Sequence, residues 1–123
     1  MSRILIVDDS ETVLAFLRAF FESAEYDVAT AANAHDGLSE AHRSLPDLII
    51  TDSIMPGMDG FGFLHALRSD PATDMIPVIM LTSGSPEDPD HIVREPRPDA
   101  FVRKSPDFSL LLGEVRDLLQ RRR

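Results

Sequence analysis

Leu48-Ile49-Ile50-Thr51-Asp52-Ser53-Ile54-Met55-Pro56-Gly57-Met58-Asp59-Gly60 is the stretch that decides the fold. A short apolar run, of a kind that suits a strand, ends in a carboxylate, and a proline–glycine turn follows. The same form recurs three times. Ile4-Leu5-Ile6-Val7 ends in Asp8-Asp9, Val78-Ile79-Met80-Leu81 ends in Thr82, and Ala100-Phe101-Val102-Arg103 ends in Lys104. Runs that are apolar without alternation suit parallel strands covered on both faces. If they are parallel strands of one sheet, all four signals fall on one edge. That edge would hold three carboxylates, a hydroxyl and an ammonium group, the makings of a divalent-metal site beside a nucleophilic Asp.

Between the runs lie helical patterns. Ser10 can cap a helix with apolar positions Val13, Leu14, Phe16, Leu17, Phe20 and Phe21, close to the i, i+3, i+4, i+7 template. Residues 27–31 form a weaker strand. Residues 34–45 predict a helix stopped by Pro46, and residues 61–68 another, ending near Asp70-Pro71. Residues 77–81 predict the fourth strand. In 107–122, Phe108, Leu111, Leu112, Val115, Leu118 and Leu119 repeat at helical spacing. Strand and helix thus alternate, which predicts an α/β fold: a doubly wound (βα)5 three-layer sandwich on a parallel five-stranded sheet. In the order 2-1-3-4-5 the four marked strands are contiguous, and ligands of open α/β sheets bind at that carboxyl edge. Residues 83–99 resist the scheme. They contain Pro86, Pro89, Pro96 and Pro98, so at most a short helix around residues 90–95 is expected there.

The 123 residues, 43% of them hydrophobic, suit one domain with a real core, spanning residues 1–123. A net charge of −9 argues against binding nucleic acid or anionic membranes. The exception is the basic end, Arg116 with Arg121, Arg122 and Arg123. It reads as cations favoured at the negative end of a last helix, or as the start of a linker into a further domain of a longer regulator. There is no cysteine, so disulfide and thiol chemistry are excluded. The apolar run after Met1-Ser2-Arg3 is too short for a signal-peptide core or a membrane span, which predicts a cytoplasmic location.

Carboxylates crowded together repel, and one would normally keep its proton. A hard divalent cation removes the conflict, and Mg²⁺ suits one or two carboxylates with waters and a phosphoryl oxygen. Asp9 and Asp52 are the expected direct ligands, and Asp8 acts directly or through water. Asp52 keeps one oxygen for in-line attack on phosphorus. Lys104 and Thr82 suffice around the equatorial oxygens, because phosphoryl transfer needs mainly positioning and charge neutralisation. Met55 and Gly57 can add backbone N–H groups. No G-x-x-x-x-G-K-[ST] loop occurs, which argues against nucleotide hydrolysis. Singly, each residue is weak: an Asp pair commonly starts a helix, a Thr suits any strand, a Lys is usually solvated. Only the constellation reverses that reading.

With these residues in place, the chain resembles the receiver domain of two-component response regulators. The matching pieces are residues 4–10, 47–60, 77–83 and 101–104, and the resemblance covers essentially the whole chain. It implies that Asp52 is the phosphoacceptor and that Asp8 and Asp9 are the acidic metal pair. Asp52 and the backbone carbonyl of Ile54 would complete a Mg²⁺ site, with Mn²⁺ as a substitute. Thr82 and Lys104 would contact the phosphoryl group. Phe101 takes the place of the switch aromatic that turns inward when the hydroxyl moves to the phosphate; otherwise it reads as a core Phe. The resemblance further implies a phosphorelay in which a histidine kinase or histidine phosphotransfer protein is the donor. A downstream output protein or fused domain receives the signal, and a homodimer is open. Neither nucleic acid nor membrane is contacted directly by this domain. It catalyses its own phosphorylation and dephosphorylation without being a turnover enzyme.

Two departures stand out. The family usually follows the Lys with Pro, commonly in cis, whereas here Ser105 precedes Pro106. Lys104 must then be oriented in another way, or by a cis Ser105–Pro106 bond. The proline-rich 83–99 segment stands where the helix before the last strand is normally found. The competing readings are a phosphorylation-independent interaction module, an aspartyl-phosphate phosphohydrolase and an FMN carrier. The phosphohydrolase lacks its second Asp in Asp52-Ser53-Ile54, and Asp8-Asp9 would repel the FMN phosphate.

Overall fold

The computed structural model describes residues 1–83 and 95–121. The elements run β1 (Arg3–Val7), α1 (Glu11–Ser23), β2 (Asp27–Ala31), α2 (Ala34–Ser44), β3 (Leu48–Asp52), α3 (Gly60–Arg68), β4 (Val78–Thr82), β5 (Ala100–Arg103) and α4 (Ser109–Arg121). The five strands form one parallel sheet in the order β2-β1-β3-β4-β5, as expected. The short helix expected around residues 90–95 lies, except for its last residue, outside the described residues.

Alternation along the strands builds two cores. Ile4, Ile6, Leu48, Ile50, Ile79 and Leu81 pack with Leu17 and Phe21 of α1 and with Leu111, Val115 and Leu118 of α4. Leu5, Val7, Ile49, Val78 and Met80 pack with Ala34 and Ala41 of α2 and with Phe63, Leu64 and Leu67 of α3. Every residue of β3 and β4 is buried. A fully buried Leu, Ile or Phe contributes about 1.5–3 kcal/mol, so these central strands are the firm base from which the site projects.

Local chemistry sets the boundaries. Ser10 Oγ accepts the Val13 N–H at 3.2 Å and opens α1. Asp59 Oδ1 accepts the Gly62 N–H at 2.8 Å, so α3 begins at Gly60, one residue before the expected start. Asp107 Oδ1 accepts both the N–H and the O–H of Ser109, a turn that delays α4 to Ser109 rather than 107. Strands β3 and β4 each run one residue further than expected, taking in Asp52 and Thr82.

The end of α1 is a Schellman motif built without glycine. The Tyr26 N–H donates to Phe21 O and the Glu25 N–H to Glu22 O, both at 3.0 Å, while the Phe21 and Tyr26 rings meet at 5.9 Å. Glu25 therefore sits at φ 71°, a left-handed conformation that costs a side-chain-bearing residue about 1–2 kcal/mol. Because Glu25 is exposed, Glu25→Gly is expected to stabilise the fold by up to about 1 kcal/mol after the greater unfolded-state entropy of glycine. Chemical denaturation measures this, and an unchanged or lower midpoint would contradict it.

On the other face His42 ties α2 to the turn after α3. Its Nδ1 lies 2.8 Å from Leu38 O and its Nε2 2.6 Å from Asp70 Oδ2. Both neighbours are acceptors here, so only the imidazolium satisfies both. The hydrogen bond to Asp70 raises the His42 pKa above its ordinary value, and the same bond lowers that of Asp70. The His42 contribution is thus complete below about pH 6.5 and is lost as pH rises through the higher folded value. Both side chains are about two-fifths exposed, so the effect is small. Thermal midpoints across this range should show a shallow decline that His42→Gln, which cannot titrate, lacks.

Candidate functional site

The register of the central strands assembles the site. Val7 pairs with Thr51, Asp52 with Leu81 and Thr82 with Arg103, so the residues at these strand ends become neighbours. Asp8 and Asp9 directly follow β1, Asp52 ends β3, Thr82 ends β4 and Lys104 directly follows β5. This is the edge on which the four sequence signals were expected to converge. The Lys104 N–H donates to Thr82 O at 2.7 Å, which carries the β5 ladder one residue past the strand. That bond launches the lysine side chain toward the centre. Its Nζ stands 3.1 Å from Asp52 Oδ2 and 3.3 Å from Asp8 Oδ2. Ser105–Pro106 is not cis; among the described residues the cis peptide bond is Glu95–Pro96. Lys104 is therefore aimed by the extended ladder and its two carboxylate partners.

Asp8, Asp52 and Thr82 are buried, whereas Asp9 is exposed. One carboxylate oxygen from each of Asp8, Asp9 and Asp52 lies within 4.8 Å of the others. Asp8 Oδ1 accepts the Ser10 N–H at 2.9 Å. Asp8 Oδ2 is buried and makes no hydrogen bond of proper geometry, with the Lys104 ammonium as its ionic neighbour. A buried oxygen of this kind, beside two further carboxylates, fits a hard cation. Burial pushes the Asp52 carboxyl above the usual carboxylate range, the Lys104 hydrogen bond opposes it and the Asp8 charge adds to it. Burial alone would depress the Lys104 ammonium, but the bond to Asp52 and the charges of Asp52 and Asp8 outweigh it and hold its pKa above the ordinary value.

The loop after β3 is closed on itself. The Gly60 N–H donates to Ser53 O at 3.0 Å, and the Ile54 N–H reaches Asp52 Oδ1 at 3.4 Å. Ile54 is 73% exposed, so its side chain contributes little packing, while Met55 is buried and Gly57 adopts φ 78° at the turn. Phe101 in β5 is partly buried against the α2–α3 core, its ring 6.2 Å from that of Phe61. Asp59 and Gly60 were not singled out as site residues from the sequence. An Asp-Gly pair just before a helical run was the available signal.

Residues 4–116 match the family described as "Response regulator receiver domain". The chain is 38% identical over 117 residues to the response regulator PleD of Caulobacter vibrioides, covering 95% of this chain and 26% of PleD. It spans about a quarter of that relative's length. Among solved structures, the chemotaxis protein CheY4 of Vibrio cholerae superposes with a TM-score of 0.88 at 28% identity, covering 96% of this chain and 98% of that one. The response regulator TrrA of Thermotoga maritima, solved in complex with Mg²⁺-BeF, superposes with a TM-score of 0.83 at 29% identity over 96% of this chain and 99% of that one. The chain belongs to the response regulator receiver domain family, whose general function is that of a phosphoacceptor in two-component signalling.

Burial of the Asp52 charge, with the Asp8 charge beside it, works against folding where no cation is bound. Because burial raises the Asp52 pKa, its linked stability is present at low pH and is lost as pH rises through the elevated folded value. In metal-free buffer at neutral pH, Asp52→Asn should raise the thermal midpoint, because the buried charge is removed. A lower midpoint in calorimetry would mean that the Lys104 pairing outweighs the repulsion.

Proposed function

We propose that Asp52 accepts a phosphoryl group from the phosphohistidine of a histidine kinase or histidine phosphotransfer protein. The observation that carries this reading is the Lys104 ammonium 3.1 Å from Asp52 Oδ2, with carboxylate oxygens of Asp8, Asp9 and Asp52 gathered within 4.8 Å. A carboxylate oxygen of Asp52 attacks phosphorus in line. The new O–P bond forms as the P–N bond to the donor imidazole breaks, and the electron pair leaves with the imidazole. Lys104 and the Thr82 hydroxyl bind the equatorial oxygens, where charge is spread during transfer.

Asp9, Asp52 and the backbone carbonyl of Ile54 would hold Mg²⁺, or Mn²⁺, with Asp8 joining directly or through water. When bound, the cation supplies charge neutralisation between the carboxylates and the incoming phosphoryl oxygens. The Thr82 hydroxyl turns to the phosphoryl group, and Phe101 moves further toward the core beside Phe61, passing the signal to an output protein or a fused domain. The chain catalyses its own loading and unloading and turns over no other substrate. The apolar groove of about 350 Å³ beside Lys104, reached from the exposed Phe16, offers the donor protein a footing next to the site. No helix among the described residues is long and apolar enough to cross a membrane, and a cytoplasmic location suits a kinase-fed switch. The whole chain acts as one receiver unit, free-standing or at the start of a longer regulator.

Intact mass after incubation with acetyl phosphate and Mg²⁺ tests this. The parent should gain one phosphoryl group, labile to hydroxylamine, and Asp52→Asn should gain none. Mg²⁺ should also raise the thermal midpoint, by about 2.7 kcal/mol of stability at a hundred times its Kd, and Asp9→Ala should lose that rise. A parent that stays unmodified while it retains its fold would favour the interaction-module reading, for which the four prolines in residues 83–99 speak.

A further inference from the structure

We infer that Gly60 is a positioning residue for the phosphoacceptor, acting through the backbone of Asp52. This inference rests on the reading of Asp52 just given. Gly60 opens α3 and is buried against the end of β3. A Cβ built on it would lie 2.3 Å from Asp52 O, 2.9 Å from Ser53 Cα and 3.2 Å from the Asp52 carbonyl carbon. Real Cβ atoms do not come so close, and here the obstacle is backbone, which cannot swing aside as a side chain can. The closeness is therefore bought by the missing side chain rather than by any unusual torsion.

Two hydrogen bonds hold the approach. The Gly60 N–H donates to Ser53 O at 3.0 Å, and Asp59 fixes the first turn of α3 through the Gly62 N–H at 2.8 Å. The loop from Ser53 to Asp59 is thus shut at its base, directly behind the peptide that carries the Asp52 side chain. The Ser53 N–H simultaneously donates to Leu81 O at 3.0 Å, so Ser53, the residue after Asp52, is tied to β4 through its N–H and to α3 through its carbonyl. Asp52 is held from behind, while Lys104 engages its carboxylate from the front at 3.1 Å. A methyl group at residue 60 must push either the start of α3 outward or the Asp52 backbone forward. The second displacement breaks the match between the three carboxylates.

The test compares Mg²⁺ affinity, by isothermal titration, in the parent, Gly60→Ala and Leu67→Ala. Leu67 is fully buried at the far end of α3, so its truncation destabilises the same helix without touching the site. Gly60→Ala should weaken Mg²⁺ binding about 10–100-fold, the usual scale for losing support behind a metal ligand, while Leu67→Ala keeps the parental affinity at a temperature where all three are folded. Parental affinity in folded Gly60→Ala, or an equal loss in Leu67→Ala, would overturn the inference. If Gly60→Ala does not fold, Asp59 decides. Asp59→Ala should weaken Mg²⁺ binding and Asp59→Asn, which can still cap α3, should restore it, whereas parental affinity in Asp59→Ala overturns the inference. A parent that binds no Mg²⁺ would instead remove the reading of the site on which the inference stands.

Discussion

The ammonium group of Lys104 stands between two buried carboxylates, 3.1 Å from Asp52 and 3.3 Å from Asp8, and the edge of the sheet depends on it. Two carboxylates at the ends of adjacent parallel strands would force β1 and β3 apart or keep a proton. The lysine lets both charges persist, yet it arrives from β5, two strands beyond β3. The interaction therefore does more than neutralise. It fastens an edge strand of four residues to the centre of the molecule, across β4, at the end where the chemistry lies. Its contribution is conditional, since buried ion pairs recover their desolvation cost only with good geometry, and here one Asp8 oxygen has no hydrogen bond of its own. That partial satisfaction is what leaves the site receptive to a cation.

The opposite edge of the sheet is closed in a different manner. Asp99 Oδ2 accepts the Val78 N–H at 2.8 Å and meets Arg68 at 3.1 Å, and Arg68 also donates to Ile76 O at 2.8 Å. Arg3 bonds Asp27 through its side chain and Asp47 through its N–H, both at 2.8 Å. These contacts knit strand starts to neighbouring turns with their groups already paired. Among the described residues the buried side-chain oxygen without a hydrogen bond, Asp8 Oδ2, thus lies at the carboxyl ends of the strands, where a parallel sheet leaves its crevice.

How much of this was legible follows from what each residue does to the sequence pattern. Asp8, Asp52, Thr82 and Lys104 interrupt apolar runs, so the same contrast that marks a strand marks its polar terminus, and the parallel topology then brings the four together. The sheet order and most element limits were readable for that reason. Gly60 was not, because a missing Cβ leaves no trace in hydrophobic periodicity, and its use depends on a backbone atom of Asp52 that only the fold brings near. Glu25 was hidden for the reverse reason: a left-handed helix end usually announces itself by glycine, and here a charged residue occupies it. The aim of Lys104 stayed open in the sequence between a cis Ser105–Pro106 bond and another arrangement, because the extra hydrogen bond to Thr82 O belongs to a strand ladder rather than to any local motif.

The position of Lys104 in the chain has a consequence for biogenesis. The acids at residues 8, 9 and 52 emerge early from a ribosome, while their internal counter-ion comes more than fifty residues after Asp52. A nascent chain that has formed β1, β3 and β4 holds a cluster of carboxylates with no lysine to answer it. During that interval the place of the lysine is open to cations from solution. Assembly of the sheet is then coupled to the ionic composition around the emerging chain until β5 docks and delivers its own cation.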